Sequence, residues 1–242
     1  MSDDKSGAMS GADGTLGTRT RVFLVDDHPL VRESLASLID RQSDLCVCGV
    51  AESAAAALAA IPAAAPHLAV VDLSLDGRSG LELIRDLKQQ HPQVAVLVLS
   101  MHDEDLYAER ALRAGARGYI MKREATQNVI AALRRIRDGR IHVSERIAER
   151  LAERAVAPRP QDGTSPLTRL SDRELEVFRL MGQGRATRQI AETLNVSAKT
   201  VQAYHARMKE KLGLATGAEL LREAIRWAQD DESGNAGADK GR

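Results

Sequence analysis

The 242-residue sequence has few aromatic residues, few cysteines and no long hydrophobic segment. Aromatic residues make up 2% of the chain, so its cores must be built mainly from leucine, valine, isoleucine and alanine. No apolar run approaches the roughly 20 residues that a membrane-spanning helix needs. Residues 1–18 are polar and glycine-rich, unlike an apolar secretion signal. We therefore expect a globular cytoplasmic protein without a membrane partner.

Cys46 and Cys48 are the only cysteines. Their spacing inside an apolar run places both on one face of a strand. A metal site would need further ligands close by, and the neighbouring sequence offers none. We predict two reduced, buried thiols, which suits a reducing compartment.

The chain divides at a segment rich in proline, glycine and polar residues, 155–165. We predict a first domain over 20–138, a linker over 139–165 and a second domain over 166–229, between a disordered leader and a polar tail. Within the linker, 140–154 has isoleucine and leucine at helical spacing, and is expected to extend the last helix of the first domain or pack beside it. The second domain holds 11 Lys and Arg against 7 Asp and Glu, a weak indication of nucleic-acid binding.

In the first domain, short apolar runs alternate with helical patterns. The predicted strands are 22–25, 45–50, 68–71, 94–99 and 119–121, and the predicted helices are 31–41, 53–61, 81–90, 106–114 and 126–137. The runs are nearly continuous in Val, Leu and Ile, as expected for parallel strands buried on both faces. Five such units predict an α/β fold, a (βα)5 doubly wound parallel sheet.

Charged and polar residues end several of these strands, and the carboxyl ends of parallel strands share one edge of the sheet. They are Asp26 and Asp27 after the first strand, Asp72 after the third, Ser100 after the fourth and Lys122 after the fifth. Two carboxylates about 4 Å apart repel by about 4 kcal/mol at an effective dielectric near 20. A hard divalent cation such as Mg²⁺ offsets that repulsion, and Mg²⁺ beside a lysine suits phosphoryl transfer to a carboxylate.

This order of residues resembles bacterial receiver domains over about 20–138, although any single Asp at a strand end is more often a helix cap. The resemblance implies a metal-binding set for Mg²⁺, formed by Asp26, Asp27, Asp72 and the backbone carbonyl of Ser74. It implies a phosphoryl-binding set formed by Asp72 as phosphoacceptor, Ser100, Lys122 and the switch residue Tyr119. It also implies a sensor histidine kinase as the phosphoryl donor.

Two positions depart from the receiver pattern. Asp76 stands where a proline is common after the phosphoacceptor, and Arg123 stands where a proline often follows the lysine. Both changes affect the expected lifetime of the phosphoryl group, but neither removes a group that the chemistry needs. The departure at Asp76 leaves open the alternative that the receiver works independently of phosphorylation.

The second domain is predicted to be all-α with four helices, 172–181, 187–194, 198–212 and 218–228. Asn195 tolerates the left-handed conformation of a tight turn, and Ser197 suits the N-cap of the next helix. Ala191 is small enough for a close crossing with Val201. These features predict a helix-turn-helix whose third helix enters the major groove.

The predicted DNA contacts lie mainly on the outward face of that third helix. They are Lys199, Thr200, Gln202, Ala203, Ala206, Arg207 and Lys211. Gln202 is suited to adenine and the two alanines to a thymine methyl, whereas the basic residues suit phosphates.

The block 170–214, with LSDRELEV, IAETLNVSAKTV and KEKLGL, resembles the LuxR/FixJ/NarL type of DNA-binding domain. Gln202 and Tyr204 differ from the Lys and His common there, which leaves the operator sequence open. The resemblance implies double-stranded promoter DNA as a partner and a homodimer through the last helix, which carries Leu220, Leu221, Ile225 and Trp227. Closure of the domain core is an equally good explanation for any one of these four.

Together the resemblances predict a response regulator of the NarL/FixJ family. Phosphorylation of Asp72 would control dimerisation and promoter binding, with no turnover of a small-molecule substrate. One alternative is a phosphatase with an aspartyl nucleophile, but Asp26-Asp27-His28 lacks the expected Asp-x-Asp and the chain lacks a cap domain. The other is a constitutive DNA-binding regulator with a phosphorylation-independent receiver.

Overall fold

The structure, a computed structural model, describes residues 19–75, 79–156 and 165–236, with side chains up to 229 in the last range. Residues 1–18 of the predicted leader, 157–164 of the predicted linker and 237–242 of the predicted tail lie outside the described residues, as does Asp76. None of the helices in the described ranges is long and apolar enough to cross a bilayer.

The first domain is built on a five-stranded parallel sheet in the order β2-β1-β3-β4-β5. The strands are β1 (Thr20–Val25), β2 (Leu45–Ala51), β3 (Leu68–Asp72), β4 (Ala95–Ser100) and β5 (Gly118–Met121). The chain adds β2 on one side of β1 and then β3, β4 and β5 on the other side. This change of direction is typical of a doubly wound sheet, so the predicted fold class is confirmed.

Helices cover both faces of this sheet. They are α1 (Pro29–Asp40), α2 (Ala54–Ala64), α3 (Gly80–Gln90), α4 (Glu104–Ala114) and α5 (Ala125–Arg137). Alternate strand residues point to opposite faces, so Val22 and Leu24 pack with α1 and α5, whereas Phe23 and Val25 pack on the side of α2, α3 and α4. This double burial explains the continuous apolar runs in the sequence.

The two cysteines differ from the prediction. Cys46 and Cys48 are free thiols, as expected, but both are half-buried rather than buried. The reason is that β2 is an edge strand, so its residues lack a covering strand on one side. Cys48 Sγ lies 3.5 Å from the carbonyl of Val22.

Part of the predicted linker packs against the first domain. Tyr119 N–H donates to the carbonyl of His142 at 2.9 Å, next to β5. The helix α6 (Glu145–Val156) follows and buries Ile147. Three arginines one turn apart on α6 pair with acidic residues of α4; they are Arg146, Arg150 and Arg154, and their partners are Glu104, Asp105 and Glu109. The segment therefore packs beside the domain, one of its two predicted arrangements.

The second domain consists of α7 (Asp172–Gly182), α8 (Thr187–Thr193), α9 (Ala198–Leu212) and α10 (Gly217–Ala236). Asn195 has a φ of 52°, the predicted left-handed conformation, and Ser197 accepts from the N–H of Thr200 as the predicted N-cap. The last helix continues past its predicted end at 228. The apolar pattern stops there, but no proline follows to end the helix.

Gly80, the first residue of α3, touches the backbone at the end of β3. A Cβ on Gly80 would lie 2.3 Å from the carbonyl oxygen of Asp72 and 2.6 Å from Leu73 Cα. Both are backbone atoms, so Gly80→Ala must push the end of β3 away. We expect a loss of about 2 kcal/mol in unfolding free energy, measured by urea denaturation. Gly217→Ala, where nothing lies within 4 Å, is the control; equal stability of the two variants would contradict this account.

Candidate functional site

The predicted acidic residues meet at the carboxyl edge of the sheet. Ligand atoms of Asp26, Asp27, His28 and Asp72 all lie within 4.8 Å of one another. Asp26 is 3% exposed and Asp72 is 1% exposed, so two carboxylates are taken almost completely out of water. Buried carboxylates this close need a counter-charge to be stable.

Lys122 supplies one counter-charge within the chain. Its Nζ lies 2.7 Å from Asp26 Oδ2 and 2.8 Å from Asp72 Oδ2. Burial acts to lower the pKa of Lys122, but the attraction and hydrogen bonds of Asp72 and Asp26 together raise it above its ordinary value. The lysine is thus held as a cation between the two carboxylates.

The environment of Asp72 disfavours its charged form. Burial raises the pKa of Asp72, and the charge of Asp26 adds to the effect, while Lys122 acts in the opposite direction. The backbone N–H of Ser74 donates to Asp72 Oδ1 at 3.2 Å. An additional cation beside Asp72 would relieve the remaining cost of its negative charge.

The donor set fits a hard divalent cation. Asp27 Oδ1 is buried and makes no hydrogen bond within the described residues, although it lies 2.6 Å from His28 Nδ1. A buried carboxylate oxygen that accepts no hydrogen bond is costly unless a cation approaches it. Oxygen ligands from Asp26, Asp27 and Asp72 are those that Mg²⁺ prefers.

His102, which no sequence pattern marks, connects the pocket residues. Ser100 Oγ accepts from the backbone N–H of His102 at 3.1 Å, and the Tyr119 hydroxyl donates to the His102 carbonyl at 2.8 Å. The His102 ring lies 2.7 Å from Ser74 Oγ and stacks on Tyr107 at 4.8 Å. A lone histidine two residues after a strand carries no recognisable pattern, so only its contacts show this position.

The predicted DNA-contacting residues form one surface, with two exceptions. Five are exposed on α9: Lys199, Gln202, Ala203, Ala206 and Arg207. Thr200 is half-buried, with its Oγ1 2.8 Å from Ser197 Oγ in the helix cap. Lys211 is also half-buried, and its Nζ lies 2.6 Å from the buried Glu174.

The apolar residues of α10 divide between two environments. Leu220 is buried and Trp227 packs against Phe178 at 6.0 Å, so both contribute to the domain core. Leu221 and Ile225 are 41% and 36% exposed. The second pair is available for contact with another molecule.

Two family models match the chain. The response regulator receiver domain matches residues 22–134, and the bacterial regulatory proteins of the luxR family match residues 168–224. The fold, the acidic pocket and these matches define the class of protein: a receiver domain followed by a LuxR-type helix-turn-helix domain. The first match agrees with the receiver fold, and the second covers α7 to the start of α10.

Relatives resemble the chain over nearly their full length. The transcriptional activator protein ExaE of Pseudomonas putida is 38% identical over 84% of this chain and 95% of its own. The response regulator UvrY of Escherichia coli K12 is 33% identical over 85% and 93%. This chain belongs to the NarL/FixJ-type response regulators, a family of transcription regulators rather than small-molecule enzymes.

Solved structures resemble the chain over most of its length. The structure of RcsB from Salmonella enterica serovar Typhimurium bound to promoter P1flhDC, in the presence of phosphomimetic BeF3-, has 27% identity and a TM-score of 0.65. The match covers 85% of this chain and 98% of the RcsB chain. Another Salmonella typhimurium RcsB structure has 26% identity and a TM-score of 0.67, covering 86% and 98%.

Proposed function

We propose that a sensor histidine kinase phosphorylates Asp72, and that this modification controls dimerisation and binding to promoter DNA in the cytoplasm. The observation that carries the proposal is the pocket itself. A nearly fully buried carboxylate lies 2.8 Å from a lysine ammonium and beside two further carboxylates, in the same chain as an exposed recognition helix.

The residues of the pocket have distinct roles in this proposal. A carboxylate oxygen of Asp72 attacks the phosphorus of the donor, whose imidazole leaves, and an acyl phosphate forms. Lys122 moves from Asp72 to the phosphoryl oxygens, and Ser100 Oγ hydrogen-bonds to them. Asp26, Asp27, Asp72 and the Ser74 carbonyl would hold Mg²⁺, which would supply positive charge beside the transferring group. Water entering the pocket later hydrolyses the acyl phosphate, which returns the protein to its resting form.

His102 links this chemistry to the rest of the receiver. Movement of Ser100 towards the phosphoryl group pulls on the His102 backbone, which also accepts from Tyr119. The ring of His102 transmits the shift to Tyr107 on α4. Tyr119 therefore acts as the switch residue.

The proposed domains are a receiver over 20–138, a linker over 139–165 and a DNA-binding domain over 166–229. In this proposal Gln202, Ala203 and Ala206 read base edges, and Lys199 and Arg207 contact phosphates. Thr200 and Lys211 join them only at the margin of the contact, because both already have partners within the domain.

One such domain buries only about 600–1,000 Å² on DNA, so a pair of domains is needed for tight binding. The exposed Leu221 and Ile225 on α10 are the proposed dimer contact.

One observation favours the alternative, a constitutive DNA-binding regulator. The proposed recognition face of α9 is exposed even though α7 of the same domain is paired with the receiver. A protein of this kind would bind DNA equally well in both states.

The test uses acetyl phosphate and Mg²⁺ with the wild type, Asp72→Asn and the control Asp138→Asn, an exposed carboxylate. Intact mass should show one phosphoryl group on the wild type and the control, and none on Asp72→Asn. On DNA selected from a random pool by the wild type, phosphorylation should tighten binding about tenfold. Modification of Asp72→Asn would contradict the site assignment. An unchanged DNA affinity would establish the constitutive alternative.

A further inference from the structure

The DNA-binding domain lies against the receiver through one face of α7. This face carries Asp172, Glu176, Arg179 and Gln183, which are spaced by one helical turn. At its start, Asp172 pairs with the guanidinium groups of two receiver residues, Arg85 on α3 and Arg110 on α4.

Next to this face, Arg173 pairs with Glu82 of α3 at 2.6 Å. Burial raises the pKa of Glu176, although Arg173 and Arg179 act in the opposite direction. The ion pairs that Asp172 and Arg173 form with the receiver fix the direction in which α7 runs.

The far end of the same face reaches the phosphoacceptor pocket. A cavity of about 270 Å³ lies between the two domains at this point. Its receiver side includes Asp72, Ser74, His102 and Lys122, and its opposite side consists of Arg179, Gln183, Trp227 and Ala228. The DNA-binding domain therefore forms one wall of the site where the phosphoryl group is to be placed.

Arg179 differs from the other arginines of this contact. Arg85, Arg110 and Arg173 each pair with a carboxylate across the domain boundary. Arg179 is half-buried and forms no ion pair or side-chain hydrogen bond within the ranges that the structure describes. It is attracted by Glu176 on its own helix, and it lines from the DNA-binding domain the same cavity that Asp72 lines from the receiver. Arg179 is therefore a partly buried cation without an ion-pair partner among the described residues, beside the cavity where a phosphoryl group on Asp72 would lie. It is positioned to bind such an anion.

Phosphorylation would supply that anion. The acyl phosphate carries about one more negative charge than the carboxylate it replaces. A guanidinium presents two parallel N–H donors that match two phosphoryl oxygens, which a lysine ammonium cannot do.

We propose that Arg179 is a phosphoryl-binding residue supplied by the DNA-binding domain, opposite Lys122 in the cavity. This inference rests on the proposed phosphorylation of Asp72 and extends it. The phosphorylated state is then sensed directly by α7, in addition to the path through Ser100 and α4. Because Trp227 lines the same cavity and is the only tryptophan of the chain, it reports occupancy without a label.

The test is a beryllofluoride titration in the presence of Mg²⁺, followed by Trp227 fluorescence and by calorimetry. The variants are Arg179→Gln and a control on α8, Arg188→Gln, whose side chain is 90% exposed. We expect Arg179→Gln to weaken the apparent affinity about tenfold, as the loss of a hydrogen bond to a charged group does, and the control to match the wild type. Equal or tighter binding by Arg179→Gln would overturn the inference.

A charge exchange tests whether the effect requires the docked domains. Glu82→Arg places two like charges at the 2.6 Å contact and should weaken beryllofluoride binding to the level of Arg179→Gln. Glu82→Arg with Arg173→Glu restores the pair and should restore the affinity. Arg179→Gln added to Glu82→Arg should have no further effect; an additive loss would show that Arg179 acts elsewhere.

The outcomes also separate this inference from the function on which it rests. If the wild type does not bind beryllofluoride, or Asp72→Asn binds it equally, the proposed function fails and the inference with it. If the wild type binds, Asp72→Asn does not and Arg179→Gln matches the wild type, only the role of Arg179 is disproved.

Discussion

Lys122→Met is expected to lower the free energy of unfolding by about 3 kcal/mol in the absence of divalent cations. The reason is that Asp26 and Asp72 stay buried after the ammonium between them is removed, and a broken buried ion pair costs about 3–5 kcal/mol. The measurement is urea denaturation followed by circular dichroism, with a chelator present.

Adding Mg²⁺ should reverse much of this loss. An ion that binds only the folded state raises the free energy of unfolding by about 2.7 kcal/mol when its free concentration is about a hundred times its dissociation constant. The gain should be larger for Lys122→Met than for the wild type, because the lysine no longer competes for Asp26 and Asp72. Lys122→Met with Asp26→Asn, which removes one of the repelling charges, is the matched control and should be more stable than Lys122→Met alone. A Mg²⁺ gain no larger than in the wild type would contradict a metal site at these carboxylates.

Phe178→Ala is expected to cost about 4 kcal/mol and to abolish DNA binding. Phe178 is fully buried at the centre of the second domain, where its ring contacts Trp227 of α10. A domain of this size has little stability to spare, so a loss of this magnitude leaves it largely unfolded. Thermal unfolding and a DNA shift assay measure the two effects.

The receiver should survive this substitution. Acetyl phosphate should still modify Asp72 in Phe178→Ala, since the acidic residues of the pocket are held by the sheet of the first domain. Leu221→Ala, at an exposed position of α10, is the control and should change the stability of the monomer by less than about 0.5 kcal/mol. A Phe178→Ala variant that binds DNA like the wild type would show that this contact does not hold the domain together.

Much of the site could be predicted from the sequence because local rules determine it. A polar residue directly after a buried parallel strand must lie at the carboxyl edge of the sheet, so the sequence alone predicts that Asp26, Asp72, Ser100 and Lys122 lie there. The exposed face of α9 could be predicted in the same way, from a helical period and from the turn at Asn195 and the cap at Ser197.

The exposure of Cys46 and Cys48 could not be predicted in this way. It depends on which strand lies at the edge of the sheet, and two apolar runs look alike whether one or both sides are covered. The network around His102 is likewise made by side chains that are up to 28 residues apart along the chain.

The sequence by itself determined the two folds, the family and the acidic edge, because strand and helix periods and the positions of strand ends are local properties. Only the tertiary structure decided that α6 packs on α4, that Lys122 bridges Asp26 and Asp72, and that α7 brings Arg179 to the acidic pocket. These contacts join residues far apart in the chain. Their partners are chosen by the packing of whole elements and by charge pairing between them, which no local pattern records.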